Sequence, residues 1–234
     1  MLALKPDEGS HGDGFYKFTY EDDKYQLNYQ DVTKQQVLDI LEDINNQYLV
    51  TEYINMCDEL KAVYDGAVNT VRMIVFKKDG KNPQIGNAYV RFGSKKTGAV
   101  DNVGAGGMTA TIDVATGHFH DAKIVMNNSI EDCPIHPDTG VPIDGYLPHW
   151  EQVKQQVLDV TKSIKQLEFF GVDLAVTNDG IKFPEINRFP DYPAVEKYTK
   201  PTREYLLYKL AGKKHHYGYD VTPNRTLVHL PKRD

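Results

Sequence analysis

Two apolar runs, residues 170–176 and 181–186, are joined by Asn178-Asp179-Gly180. A turn of that composition between β-branched and aromatic runs is the strongest short hairpin signal in the chain. It makes the two runs antiparallel neighbours, which favours an α+β sheet over a doubly wound parallel one. Polar groups interrupt the hairpin: Asp173 in the first strand, Glu185 and Asn187 at the end of the second. Glu185 and Asn187 are two apart on an extended chain, so they share a face, and the hairpin sets Asp173 beside them.

The preceding residues repeat that style. Residues 2–5, 15–20, 25–29 and 48–54 read as short strands, residues 68–76 as a buried β-branched strand, and residues 87–92 as its partner. Residues 109–114 and 121–127 read as a further pair about the turn at Thr116-Gly117. Val37, Leu38, Leu41 and Ile44 recur at helical spacing, as do Trp150, Val153, Val157, Val160, Ile164 and Leu167. A last helix is expected near residues 202–211, followed by a polar tail, while residues 93–107 and 128–148 read as long loops. The division expected is a small β-rich lobe over residues 1–56, a larger lobe over 57–200, and a helix with tail over 201–234.

Composition excludes several classes. A net charge of −6 argues against a generic nucleic-acid binder. No apolar run approaches the roughly 20 residues that span a bilayer, and the N-terminus does not read as a signal peptide. Cys57 and Cys133 lie far apart without CxxC spacing, which fits a reducing, cytoplasmic setting. No Gly-x-Ser-x-Gly occurs, and neither cysteine has a visible activating context, so side-chain nucleophile chemistry has no support.

Four groups of residues can carry chemistry. Asp173, Glu185 and Asn187 put two carboxylates and an amide oxygen on one patch, which suits Mg2+. The alternative is a solvated polar strand end, against which the apolar neighbours Val172, Leu174, Phe183 and Ile186 weigh. Lys5 precedes a Gly-rich loop, Gly9-Ser10-His11-Gly12-Asp13-Gly14, whose backbone amides can approach phosphate closely, or which is a plain hairpin loop. It is neither a Walker A loop nor a Rossmann fingerprint. Glu52-Tyr53-Ile54 and Glu59 can offer backbone to a base and a carboxylate to a ribose, or are an ordinary strand and acidic turn. Arg72 interrupts an apolar strand and needs an anionic partner, either a phosphate or an internal carboxylate; Arg91 and Arg188 are similar candidates. His118, His120, His215 and His216 read as surface histidines.

Taken in order, the lysine, the Gly-rich loop, Glu-x-Ile with Glu59 beyond it, and a late Asp followed by Glu-x-Asn resemble the ATP-grasp superfamily. Asn69-Thr70-Val71-Arg72, Val100-Asp101-Asn102, Gly106-Gly107, His136-Pro137-Asp138-Thr139-Gly140 and Glu185-Ile186-Asn187 resemble its sugar-transfer-associated branch, related to α-L-glutamate ligase-like proteins, over about residues 2–195. The resemblance implies ATP clasped between two lobes of antiparallel sheet with flanking helices. Lys5 would contact its phosphates, with Ser10, His11, Gly12 and Gly14 covering them. Glu52, Tyr53 and Ile54 would meet adenine and Glu59 the ribose. Asp173, Glu185 and Asn187 would hold Mg2+, and Arg72 would touch phosphate or acyl phosphate.

The activity implied is activation of a small-molecule carboxylate as an acyl phosphate, followed by attack of an amine or a sugar-linked acceptor, with a role near cell-surface polysaccharide. An ATP-dependent phosphotransferase on the same fold, or a nucleotide-binding fragment needing a partner chain, stands beside it. Such ligases also carry an N-terminal α/β domain, which is expected to be absent here, and an arginine two residues before the late Asp, where this chain has Gly171.

Overall fold

The computed structural model describes residues 1–7, 14–44, 48–77, 80–126, 129–188, 190 and 202. Its strands form two sheets, and every strand pairing among the described residues is antiparallel. The first sheet has five strands in the order β4-β3-β2-β1-β5. They are β1 (Leu2–Pro6), β2 (Tyr16–Glu21), β3 (Lys24–Leu27), β4 (Gln30–Val32) and β5 (Tyr48–Glu52). Helix α1 (Lys34–Asp43) begins with a reciprocal capping box between Thr33 and Gln36, which satisfies its first free amides.

The second sheet runs β10-β9-β8-β7-β6-β12-β13, with β11 paired to β9 off that path. Its strands are β6 (Val71–Phe76), β7 (Gln84–Phe92), β8 (Met108–Ile112), β9 (His118–Met126), β10 (Ser129–Asp132), β11 (Gly145–Tyr146), β12 (Phe169–Thr177) and β13 (Gly180–Asn187). Strand β6 lies between β7 and β12, and all six of its residues are buried. Side chains alternate across a strand, so Val71, Met73 and Val75 share one face with Val172, Leu174 and Val90. That face meets α2 (Asp58–Val63) through Leu60 and Val63, and α3 (Trp150–Ser163) through Trp150, Val153 and Val157. The opposite face carries the polar residues of interest.

Some sequence expectations shift. Residues 25–29 do not form one strand, because Asn28 and Tyr29 take positive φ (49° and 68°) and turn β3 into β4. Helix α2 falls where the sequence pattern suggested no element. Residues 128–148 contain β10 and β11 instead of an unbroken loop; β10 is exposed throughout, so no buried alternation announced it. The helix expected at 202–211 lies outside the described residues except for Thr202. No helix among the described residues is long and apolar enough to cross a membrane.

Candidate active site

The polar face of the second sheet is assembled by register. Arg72 of β6 stands opposite Tyr89 of β7 and Asp173 of β12, and Asp173 stands opposite Glu185 of β13. Equal parity puts all four on one face, as the hairpin pattern predicted for Asp173 and Glu185. One register irregularity follows directly, between Asp173 and Ala175. It coincides with Pro184, which has no N–H to give to a ladder and is tolerated on an edge strand.

Arg72 meets Asp173 in a fork: Nε donates to Oδ1 at 2.5 Å and Nη2 to Oδ2 at 2.6 Å. Only 8% of Arg72 and 2% of Asp173 is exposed, so the pair is screened little by water. The internal carboxylate is thus the anionic partner that a buried arginine requires. Arg91 Nη2 adds a third bond to Asp173 Oδ2 at 2.9 Å. Arg91 is itself anchored: Nε and Nη2 reach Thr70 Oγ1 at 3.0 and 2.5 Å, and Nε lies 3.5 Å from Asp101 Oδ2. Thr70 in turn donates from its backbone N and its hydroxyl to Asp101 Oδ2 at 2.8 and 2.5 Å. Burial by itself would raise the Asp173 pKa; the Arg72 hydrogen bond and the charges of Arg91 and Arg72 more than offset it and hold the carboxyl below its usual range.

Glu185 and Asn187 complete the patch from the edge strand. Asn187 Nδ2 lies 2.9 Å from Glu185 Oε1 and 3.4 Å from Asp173 Oδ2. Glu185 Oε1 is 4.0 Å from Arg72 Nη2, and 53% of its side chain is exposed. Phe183 and Ile186 are exposed too, so β13 is not a buried strand as its apolar residues suggested, whereas Val172 and Leu174 are fully buried. The donor set is oxygen-rich and suits a hard cation once the Asn187 amide presents its oxygen. Glu185 and Asn187 are open to that role, while Asp173 already serves two guanidiniums. No group of three or more His, Cys, Asp or Glu arranged to hold a metal occurs among the described residues; here two carboxylates and an amide would share the task.

Lys5, from the first sheet, reaches this edge: its Nζ donates to Pro184 O at 3.4 Å, one residue before Glu185. Gly14 holds φ 76°, a conformation that suits glycine, while Ser10, His11 and Gly12 lie outside the described residues. Glu52 ends β5, Tyr53 and Ile54 lead away from it half-buried, and Glu59 is exposed in the first turn of α2. The structure gives these four no direct bond to the Arg72 cluster.

Tyr53 has a neighbour that the sequence did not suggest: Lys17 Nζ lies 4.5 Å from its ring centre and 4.0 Å from that of Tyr29. Burial, with the nearby Tyr29, pushes the Tyr53 phenol far above its usual range. Thr70, Tyr89 and Asp101 are further members of the site without an assigned role in the sequence. For Tyr89 the signal was parity: Tyr89 and Arg91 alternate with the core-facing Ala88, Val90 and Phe92.

Two further motif residues, Asn69 and His136, bond to the backbone beside the site. Asn69 is fully buried; its Nδ2 donates to Tyr64 O at 2.6 Å and its Oδ1 accepts Gly93 N at 3.1 Å. His136, also buried, holds Gly93 O through Nε2 at 2.9 Å and stacks on Tyr64. Together they fix the start of β6 and the end of β7, from which Arg72 and Arg91 project. His118 and His120 are partly exposed, as expected, but they do have carboxylate partners, Asp144 at 3.1 Å and Asp121 at 2.9 Å.

No curated protein matches the chain. A family model described as sugar-transfer associated ATP-grasp matches residues 2–194, a span that takes in both sheets. That family supports an ATP-dependent, ligase-like function and generally uses ATP with Mg2+. With antiparallel sheets, few helices and a family match over most of its length, the chain belongs to the sugar-transfer associated ATP-grasp family.

Proposed function

We propose that the chain is an ADP-forming ligase that activates a carboxylate with ATP and passes the acyl group to an amine or sugar-linked acceptor. The observation that carries this reading is the Lys5 bond to Pro184 O, because it joins the first sheet to the strand bearing Glu185 and Asn187. On this reading the Lys5 ammonium from one sheet and oxygen ligands from the other hold one polyphosphate between them.

In the reaction, a carboxylate oxygen attacks the γ-phosphorus and the bond to the ADP oxygen breaks. The acceptor then attacks the acyl carbon, phosphate leaves with the C–O bond electrons, and the acceptor's proton passes to solvent. Lys5 holds phosphate oxygens, Glu52, Tyr53 and Ile54 hold the base, and Glu59 holds the ribose. Asp173, Glu185 and Asn187 would hold Mg2+, which supplies charge neutralisation at the transferring phosphoryl group. On this reading Arg72 steadies the phosphoryl or acyl phosphate oxygens. Catalysis on this reading is positioning and electrostatics, consistent with the lack of any activated nucleophile in the sequence.

Product analysis tests it. ADP and phosphate formed only when both carboxylate and acceptor are present supports a ligase. A stable phosphorylated product without acceptor replaces it with a phosphotransferase. Nucleotide binding without any product reduces the chain to a binding fragment that needs a partner.

A further inference from the structure

Asp173 has little left to give a cation. Its Oδ2 already accepts Arg72 Nη2 at 2.6 Å and Arg91 Nη2 at 2.9 Å, with Asn187 Nδ2 at 3.4 Å, and its Oδ1 accepts Arg72 Nε at 2.5 Å. A carboxylate offers about four lone-pair sites in all. Arg72 Nη2 lies 4.0 Å from Glu185 Oε1 while bonded to Asp173, so the guanidinium stands between the two carboxylates that a bound cation would share.

The two arginines are not equivalent. Arg91 is tied independently to Thr70 and Asp101, and so keeps its place whatever happens at Asp173. Among the described residues, Arg72 has no such second anchor among carboxylates near Asp173 other than the exposed Glu185, 4.0 Å away; its remaining polar neighbour is the Tyr89 side chain, a neutral group. Beneath Arg72 lies Gly171, which offers only backbone: a Cβ there would sit 3.5 Å from Arg72 Cδ. Resting on the functional reading above, we propose that Arg72 and a divalent cation compete for Asp173, so that Arg72 has two stations. It stands on Asp173 and Glu185 when it neutralises them, and on the phosphate side when a cation takes its place. Arg91 is the fixed cation that orients Asp173 in both states. The device couples cation loading to delivery of a guanidinium toward the transferring phosphoryl group. It also keeps two carboxylates together without leaving buried negative charge unpaired.

The test is Mn2+ binding by the full chain without nucleotide, read by calorimetry or electron paramagnetic resonance. Removing a cation within 4–6 Å typically changes a charged equilibrium by 10-fold or more, so Arg72→Met should bind Mn2+ about tenfold tighter than wild type. Glu185→Gln in the Arg72→Met background should erase the gain. Equal or weaker Mn2+ affinity in a folded Arg72→Met protein overturns the proposal.

Should Arg72→Met fail to fold, the wild-type chain decides the matter by NMR. The Nε–H of Arg72 should be protected from exchange in the free protein and lose protection on saturation with Mg-ATP. Saturation with protection unchanged overturns the two-station proposal alone. Failure of the wild type to bind Mg-ATP removes the ligase reading and the proposal with it.

Discussion

Arg72 and Asp173 sit directly opposite one another on neighbouring strands β6 and β12 and are joined by two parallel bonds of 2.5 and 2.6 Å. Both are almost wholly buried, so the pair is held by geometry that neither strand supplies alone. Breaking a buried pair by removing one partner costs about 3–5 kcal/mol, because the other charge is left uncompensated. Asp173→Ala should therefore lose about that much stability in urea unfolding, since it strands Arg72 and deprives Arg91 of a partner. A loss below about 1 kcal/mol would place the pair with solvent-screened surface bridges.

Glu185 behaves differently. Its side chain is about half exposed, 53%, on an edge strand, and substitutions at such positions usually change stability by no more than about 0.5 kcal/mol. Glu185→Gln should leave the melting temperature nearly unchanged yet abolish Mg-dependent ATP turnover. Undiminished turnover in that variant would remove Glu185 from the metal assignment.

Lys5→Met should weaken nucleotide binding selectively. Hydrogen bonds to charged groups contribute about 1.5–3 kcal/mol, equivalent to roughly 10–100-fold in affinity. The thermal shift produced by Mg-ATP should shrink accordingly, while the melting temperature without nucleotide stays close to wild type, because the Lys5 contact with Pro184 is a single bond of 3.4 Å. An unchanged thermal shift would show that Lys5 does not meet phosphate.

Asn69→Ala should damage both fold and site. Asn69 is fully buried and satisfies the carbonyls of Tyr64 and Leu60 and the amide of Gly93. Leaving buried polar groups unpaired costs about 1–3 kcal/mol each, so a loss of about 3 kcal/mol in denaturant unfolding is expected. The variant should also bind nucleotide more weakly than Glu185→Gln does at equal temperature, since the roots of β6 and β7 are released together.

Asp113 provides the pH test, away from the site. Its Oδ1 accepts the backbone amides of Ala115 at 2.7 Å and Thr116 at 3.1 Å in the β8–β9 turn. The Thr116 amide bond chiefly holds its carboxyl below the usual range, burial opposing and Ala115 assisting. A depressed folded pKa contributes stability above the unfolded value of about 3.9 and loses it as pH falls through the folded one. The difference in urea midpoint between wild type and Asp113→Ala should be largest near neutral pH and narrow below about pH 4. A constant difference across that range would show that the charge is irrelevant to the turn.

Much of this was legible in the residues themselves. The Asn178-Asp179-Gly180 turn dictated the β12–β13 hairpin, and the hairpin dictated that Asp173 faces Glu185. These are local relations: a turn sets register, and a period of two sets the face. The β-branched run around Val71 likewise announced a buried strand, and Arg72 within it announced an anionic partner. Helix α2 left no such signal because six residues are too few for a helical period to show against the acidic residues at its start. Strand β10 left none because none of its four residues is buried.

What tertiary structure alone decided is which partner each charge takes. The sequence made Arg72 a buried cation needing an anion and made Asp173 a carboxylate needing company; it held no information that the two are cross-strand neighbours 101 positions apart. The same is true of Lys5, whose bond to Pro184 spans 179 positions and two sheets. Local patterns fix spacing along one element because covalent geometry repeats there, whereas pairing between elements depends on strand order and sheet packing. Those follow from the burial of the whole chain and are written in no single segment.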